Sequence, residues 1–135
     1  MSQDTVELLT SATEAFIAGE RDAYVDNYFA EDVEIRPDAA FPEAEPFRGR
    51  EAYKRFLAEI DRGWERGGIV VLKEIVSVED RVVVRLDWGG KGRASGIDMN
   101  SNLTAICTVR DGWVIRVEYF FDHSEALEAV GLAGG

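Results

Sequence analysis

Two charged side chains two positions apart are the first candidates for chemistry: Arg85 and Asp87, within Arg81–Trp88. In an extended strand they share one face, with Val84, Leu86 and Trp88 on the other. A guanidinium held there can orient a carboxylate that takes a proton from a substrate or a water. On an exposed strand the same pair is a salt bridge worth only about 0–1 kcal/mol, and the residues alone favour that plainer role. Tyr28 and Tyr119 are the next candidates, because a buried phenol needs a hydrogen-bond partner and can donate to a ligand oxygen. Asp122 has a structural use as a helix cap, with Glu125 three residues on, and His123 falls in the first turn behind it. Cys107 alternates with Leu103, Ala105 and Val109 and reads as a small buried apolar residue. One Cys excludes an intrachain disulfide, and one Cys with one His excludes the usual Cys/His zinc sites, so neither metal nor cofactor is expected. Gly89-Gly90-Lys91-Gly92 joins two strands instead of opening a helix, which makes it a hairpin tip, not a phosphate loop.

The elements that must position these groups follow from periodicity. Val6, Leu8, Leu9, Ala12, Phe16 and Ile17 predict a helix over 5–18, capped by Asp4 and ended by Gly19. A shorter helix is expected over 21–29, then a short strand at Val33–Ile35 that Pro37 stops. Residues 37–49 hold all three prolines with Phe41 and Phe47, and read as a loop folded over something apolar. Tyr53, Phe56, Leu57, Ile60 and Trp64 predict an amphipathic helix over 50–66, with Gly67-Gly68 as its stop. From Ile69 the period changes to strands at 69–78, 81–88, 97–110 and 113–121, separated by turn residues that include Asp111-Gly112. A short helix over 123–130 closes the pattern. Helices first and strands afterwards is an α+β arrangement over 1–135 as one domain, with a four- or five-stranded sheet whose buried face takes the helices.

The 135 residues carry 15 basic and 26 acidic side chains, a net charge of −11. Nucleic acid and anionic membrane surfaces demand the opposite balance, so neither partner is expected. The N-terminus is acidic, unlike a signal peptide, and Ile69–Leu72 is far too short to span a bilayer; a cytoplasmic protein is expected.

Four segments, Phe16–Tyr24, Tyr28–Glu34, Phe47–Tyr53 and Val109–Arg116, carry a resemblance across nearly the whole chain. Their order and spacing resemble the nuclear transport factor 2-like superfamily, in its SnoaL-like and ketosteroid-isomerase-like branch. The resemblance implies a cone-shaped barrel: three N-terminal helices packed in a curved, mixed but largely antiparallel sheet, with a short C-terminal helix. It also implies a homodimer through the outer sheet face (Val114, Arg116, Glu118, Phe120) and an apolar cavity partly closed by residues 37–49. The ketosteroid isomerase residues are missing at the matching positions: Ala12 stands for a tyrosine, Arg36 for the basic aspartate, and 101–110 contain no carboxylate. Limonene-epoxide-hydrolase-like members are matched by Arg85-Leu86-Asp87, yet their last-strand aspartate falls at Tyr119, and their water-holding Tyr and Asn fall at Ile35 and Pro37. For the acidic residue of SnoaL-like cyclases the nearest carboxylates are Glu118, expected to point outward, and Asp122. The resulting expectation is a cofactor-free site with Asp87 as base, Arg85 as its orienter and Tyr119 as donor. Phe16, Tyr28, Phe41, Phe47, Leu103 and Phe121 would line it for a hydrophobic carbonyl, polyketide or epoxide-like compound. The alternatives are a ligand binder without a poised base and a purely associative domain.

Overall fold

Leu9, Ala12, Thr13 and Phe16 recur at helical spacing and are all buried, which gives α1 (Ser2–Ile17) one face against the sheet. A computed structural model describes residues 2–38, 45–62, 69–91 and 98–131. Gly19, at φ +84°, ends α1 as the left-handed residue of a Schellman-type cap, with the Glu20 N–H donating to Ala15 O at 3.0 Å. Next come α2 (Arg21–Tyr28), β1 (Phe29–Arg36), β2 (Phe47–Arg48) and α3 (Arg50–Arg62), the last burying Tyr53 and Leu57. The second half is β3 (Ile69–Val78), β4 (Arg81–Lys91), β5 (Asp98–Arg110), β6 (Trp113–Phe120) and α4 (His123–Ala129).

Among the described residues six strands lie in the order β2-β1-β6-β5-β4-β3. All neighbours are antiparallel except β1 and β6, which run parallel, so the first long strand is set against the last. The α+β class and the mixed, largely antiparallel sheet hold. The sheet does not close on itself: β2 and β3 stand at its edges. It also has six strands instead of four or five, because Phe47 and Arg48 pair with Ile35 and Glu34 inside the stretch read as a loop. The strands also continue beyond Trp88: Gly89, Gly90 and Lys91 pair with Asn100, Met99 and Asp98. Asp4 lies within α1, not at its cap. Asp111 (φ 53°) and Gly112 (φ 82°) form the tight β5–β6 turn the sequence predicts.

Alternation along the strands sorts two cores. Facing the helices, Val82, Val84 and Leu86 of β4, Leu103, Ala105 and Cys107 of β5, and Val117 and Tyr119 of β6 join Leu9, Phe16, Val25, Tyr53 and Leu57. Val114, expected on the outer face, belongs to this inner core, because a register shift between Thr108 and Val109 displaces it. On the opposite face Val83 and Ile106 are covered by Ala126 and Val130 at the end of the chain. Burial of a full aliphatic side chain contributes about 1.5–3 kcal/mol, so this second cluster is enough to fix α4 across β4 and β5.

Candidate functional site

Between α1, α2 and the inner face of β4, β5 and β6 lies a cavity of about 30 Å³. Its wall is mostly apolar: Leu9 and Phe16 from α1, Val84 and Leu86 from β4, Leu103, Ala105 and Cys107 from β5. That volume is well below that of a pocket enclosing a whole drug-sized ligand. Thr13, Tyr24 and Tyr119 supply its hydroxyl groups. The Thr13 hydroxyl donates back to Leu9 O at 2.7 Å, which spends it on its own helix.

The two phenols are linked through a third. Tyr24 Oη lies 3.1 Å from Tyr53 Oη, and Tyr53 Oη lies 2.5 Å from Tyr119 Oη. The chain of phenols therefore runs from α2 through α3 to β6 and ties these three elements together. Burial raises the pKa of Tyr24, Tyr53 and Tyr119 above the usual phenol range, which keeps all three neutral donors. Burial likewise pushes the Cys107 thiol up to about 12, so it is a neutral wall group and no nucleophile. Phe56 stacks on Tyr119 at 6.0 Å and meets Phe47 at 5.2 Å, fixing the ring that carries the last hydroxyl. Arg21 lies over the Phe16 ring, 3.9 Å from its centroid, one turn before Tyr24.

The expected residues divide sharply. Tyr119, Phe16 and Leu103 line the cavity. Phe47 and Tyr28 are half-buried against the main core without lining it, and Phe121 is 37% exposed. Phe41 lies outside the described residues. Arg85 and Asp87 require a correction, because the cavity takes Val84 and Leu86, and alternation turns the charged pair to the other side of the sheet. There Asp87 is paired with Lys73 at 3.6 Å, not with Arg85. Arg85 stands in register with Thr104, whose hydroxyl is 2.9 Å from His123 Nδ1. Glu118 shares the outer face with Ile106, as expected, and Asp122 caps α4 by accepting from the Ser124 N–H at 2.8 Å. Tyr24 and Tyr53 are what the sequence reading overlooked as site residues. Helical spacing made both core, and the available signal was that a buried phenol must bond to something.

The outer face carries its own charged cluster. Glu34, 7% exposed, binds the Arg36 Nε–H, Arg48 at 3.1 Å and Arg116 at 3.5 Å. The Arg36 hydrogen bond, with the nearby arginine charges, holds its carboxyl below the usual carboxylate range. Among the described residues no three His, Cys, Asp or Glu side chains converge as metal ligands, and no helix is long and apolar enough to cross a membrane.

A sheet flanked by three helices, with a hollow between them, defines the class, and comparison with known proteins places the chain within it. The SnoaL-like domain family matches residues 10–117, and the chain belongs to that family. Among solved structures it is similar to a proposed SnoaL-like polyketide cyclase from Jannaschia sp. CCS1, with a TM-score of 0.76 and 20% identity over 96% of this chain and 93% of that one. It is similar as well to a Catenulispora acidiphila protein of ketosteroid isomerase-like fold in complex with trimethylamine (TM-score 0.72, 19% identity, 93% of each chain). TerC, co-crystallised with polyporic acid, has a TM-score of 0.75 and 21% identity over 94% of this chain and 98% of its own. At such identities the shared property is the fold. No curated protein matches the chain at a significant level.

Proposed function

We propose that the chain binds a small hydrophobic molecule through an acceptor oxygen, such as a carbonyl, set against the phenols of Tyr24 and Tyr119. The observation that carries this reading is that Tyr24 and Tyr119, linked through Tyr53, line a mostly apolar cavity. Neutral donors in a water-poor wall hydrogen-bond an oxygen strongly and reject a cation or a bare hydrocarbon. The cavity's volume suits the polar head of a ligand, so the apolar lining has to part to admit the body.

The described lining contains no carboxylate, imidazole or amine, and its one thiol is neutral. This favours binding, or polarisation of a carbonyl by hydrogen bonds, over abstraction of a proton by a poised base. An isomerase, cyclase or epoxide hydrolase reaction needs a base from outside that lining, and Asp87 on the outer face does not supply it.

The test is a calorimetric binding screen of small hydrophobic ketones and hydroxyaromatic compounds against the wild type, Tyr119→Phe and Asp87→Asn. Loss of one hydrogen bond worth about 1–1.5 kcal/mol should weaken binding roughly tenfold in Tyr119→Phe. Asp87→Asn should bind as the wild type does. Equal affinity of Tyr119→Phe and the wild type, or lost binding in Asp87→Asn alone, rejects the reading.

A further inference from the structure

On the inner side of the sheet the helices stand over its flanks. α1 packs on β3 and β4, α3 packs on β1 and β2, and both lean on α2. In the strand order β5 and β6 lie between those flanks, and their inward side chains Leu103, Ala105 and Tyr119 form the floor of the cavity. Leu9, Thr13 and Phe16 of α1 line it from one side. From the other side α3 sends Phe56, one turn after Tyr53, onto the ring of Tyr119.

At about 30 Å³ the cavity is far below the roughly 300 Å³ at which pockets for whole ligands begin, so a wall must move before a ligand body enters. Most of the walls resist. Backbone pairing locks the floor strands. Leu9 and Phe16 are buried, and Tyr24 and Tyr119 are tied through Tyr53. Phe56 differs, because it is only partly buried against the core. Its ring carries no polar atom, so turning it breaks no hydrogen bond, and Tyr119 keeps its bond to Tyr53 meanwhile. The space the ring leaves is bounded by Tyr119 and Phe47, whose centroids lie 6.0 and 5.2 Å from its own.

We propose that Phe56 is the gate of this cavity and the residue that sets ligand size, and that the ligand is a flat aryl ketone whose ring takes the place of the Phe56 ring. The proposal rests on the phenol reading above, since Tyr24 and Tyr119 hold the ketone oxygen. An aromatic ring in that place recovers the stacking with Phe47 and Tyr119 that Phe56 gives up, and an alkyl chain does not. Turning one phenyl ring aside makes room for one ring. A fused two-ring ketone therefore meets Phe56 again.

The experiment is calorimetric titration of the full chain and of Phe56→Ala, Phe56→Leu and Tyr119→Phe with acetophenone and with 2-acetylnaphthalene. The wild type should prefer the one-ring ketone by about tenfold, and Phe56→Ala should reverse that order by gaining about tenfold for the two-ring ketone. Phe56→Leu, which keeps much of the apolar volume, should fall between them. It also serves in place of Phe56→Ala if near-ultraviolet circular dichroism shows that variant to have lost its packing. Tyr119→Phe should weaken both ketones about tenfold and leave their order unchanged. Equal weakening of both ketones by the two Phe56 variants marks Phe56 as support for Tyr119 alone, and overturns the gate while the phenol reading stands. A wild type indifferent to ring number overturns the gate as well. Unchanged affinity in Tyr119→Phe overturns the phenol reading instead, and the gate survives it if Phe56→Ala still reverses the order. Absence of binding by either ketone to all four proteins overturns both.

Discussion

Glu34 shows what a single residue does when its strand turns it outward. A carboxylate this well buried is tolerated because three guanidinium groups satisfy it. Its folded-state pKa is depressed, so its contribution to stability is complete above the ordinary carboxylate range and lost as pH falls through the folded value. Glu34→Gln should therefore destabilise the chain by about 1–2 kcal/mol at neutral pH, the low end applying because the arginines are half-exposed. Urea titrations of both proteins at neutral and at strongly acidic pH should show that gap shrinking as acid is added. At this scale the sequence was legible in relation but not in direction. Period two placed Arg85 and Asp87 together and opposite Val84 and Leu86, and the structure agrees. Which side faces the helices was decided by simple partition: the apolar pair took the inside. The resemblance to an epoxide-hydrolase pattern argued the other way, and it misled because a two-residue match says nothing of the rest of the wall. Tyr119, singled out because a buried phenol needs a partner, lies inside with Val117.

Among the elements, those with their own signal were visible and those made by a partner were not. The amphipathic spacing of α1 and α3 and the Asp111-Gly112 turn read directly from residue types. β2 is only Phe47 and Arg48, and exists because β1 offers Ile35 and Glu34 as pairing partners, which no local pattern reports. The junction of β2 and α3 depends on Gly49 at φ +102°. A Cβ there would touch only Glu31 O at 3.9 Å, an ordinary contact, so the cost of Gly49→Ala is the backbone conformation itself. The expected loss is about 1–2 kcal/mol, read as a lower urea midpoint with an unchanged slope. The phenol chain was illegible for the same reason as β2: Tyr24, Tyr53 and Tyr119 stand on three elements and meet only after all three have packed.

For the molecule as a whole, composition excluded more than it assigned. The balance of 15 basic to 26 acidic residues spoke against polyanions, yet it averaged over the arginines around Glu34 on the outer sheet face, which only strand register brings together. The α+β class followed from the order of helices and strands, whereas the parallel contact of β1 with β6 did not, since it joins residues near 35 to residues near 117. A fragment ending at Arg110 lacks β6, which stands between β1 and β5. It should lose the cooperative urea transition and retain mainly the signal of isolated helices, as far-ultraviolet circular dichroism would report. A fragment with a native-like transition would mean that β1 can dock without β6.

That pairing also constrains how the protein is born. During synthesis β1 leaves the ribosome long before the strand that must lie beside it, and no earlier strand flanks it except the two-residue β2. The nascent chain carries a largely unmatched strand until Trp113–Phe120 emerges, exposed meanwhile to chaperones and to misassociation.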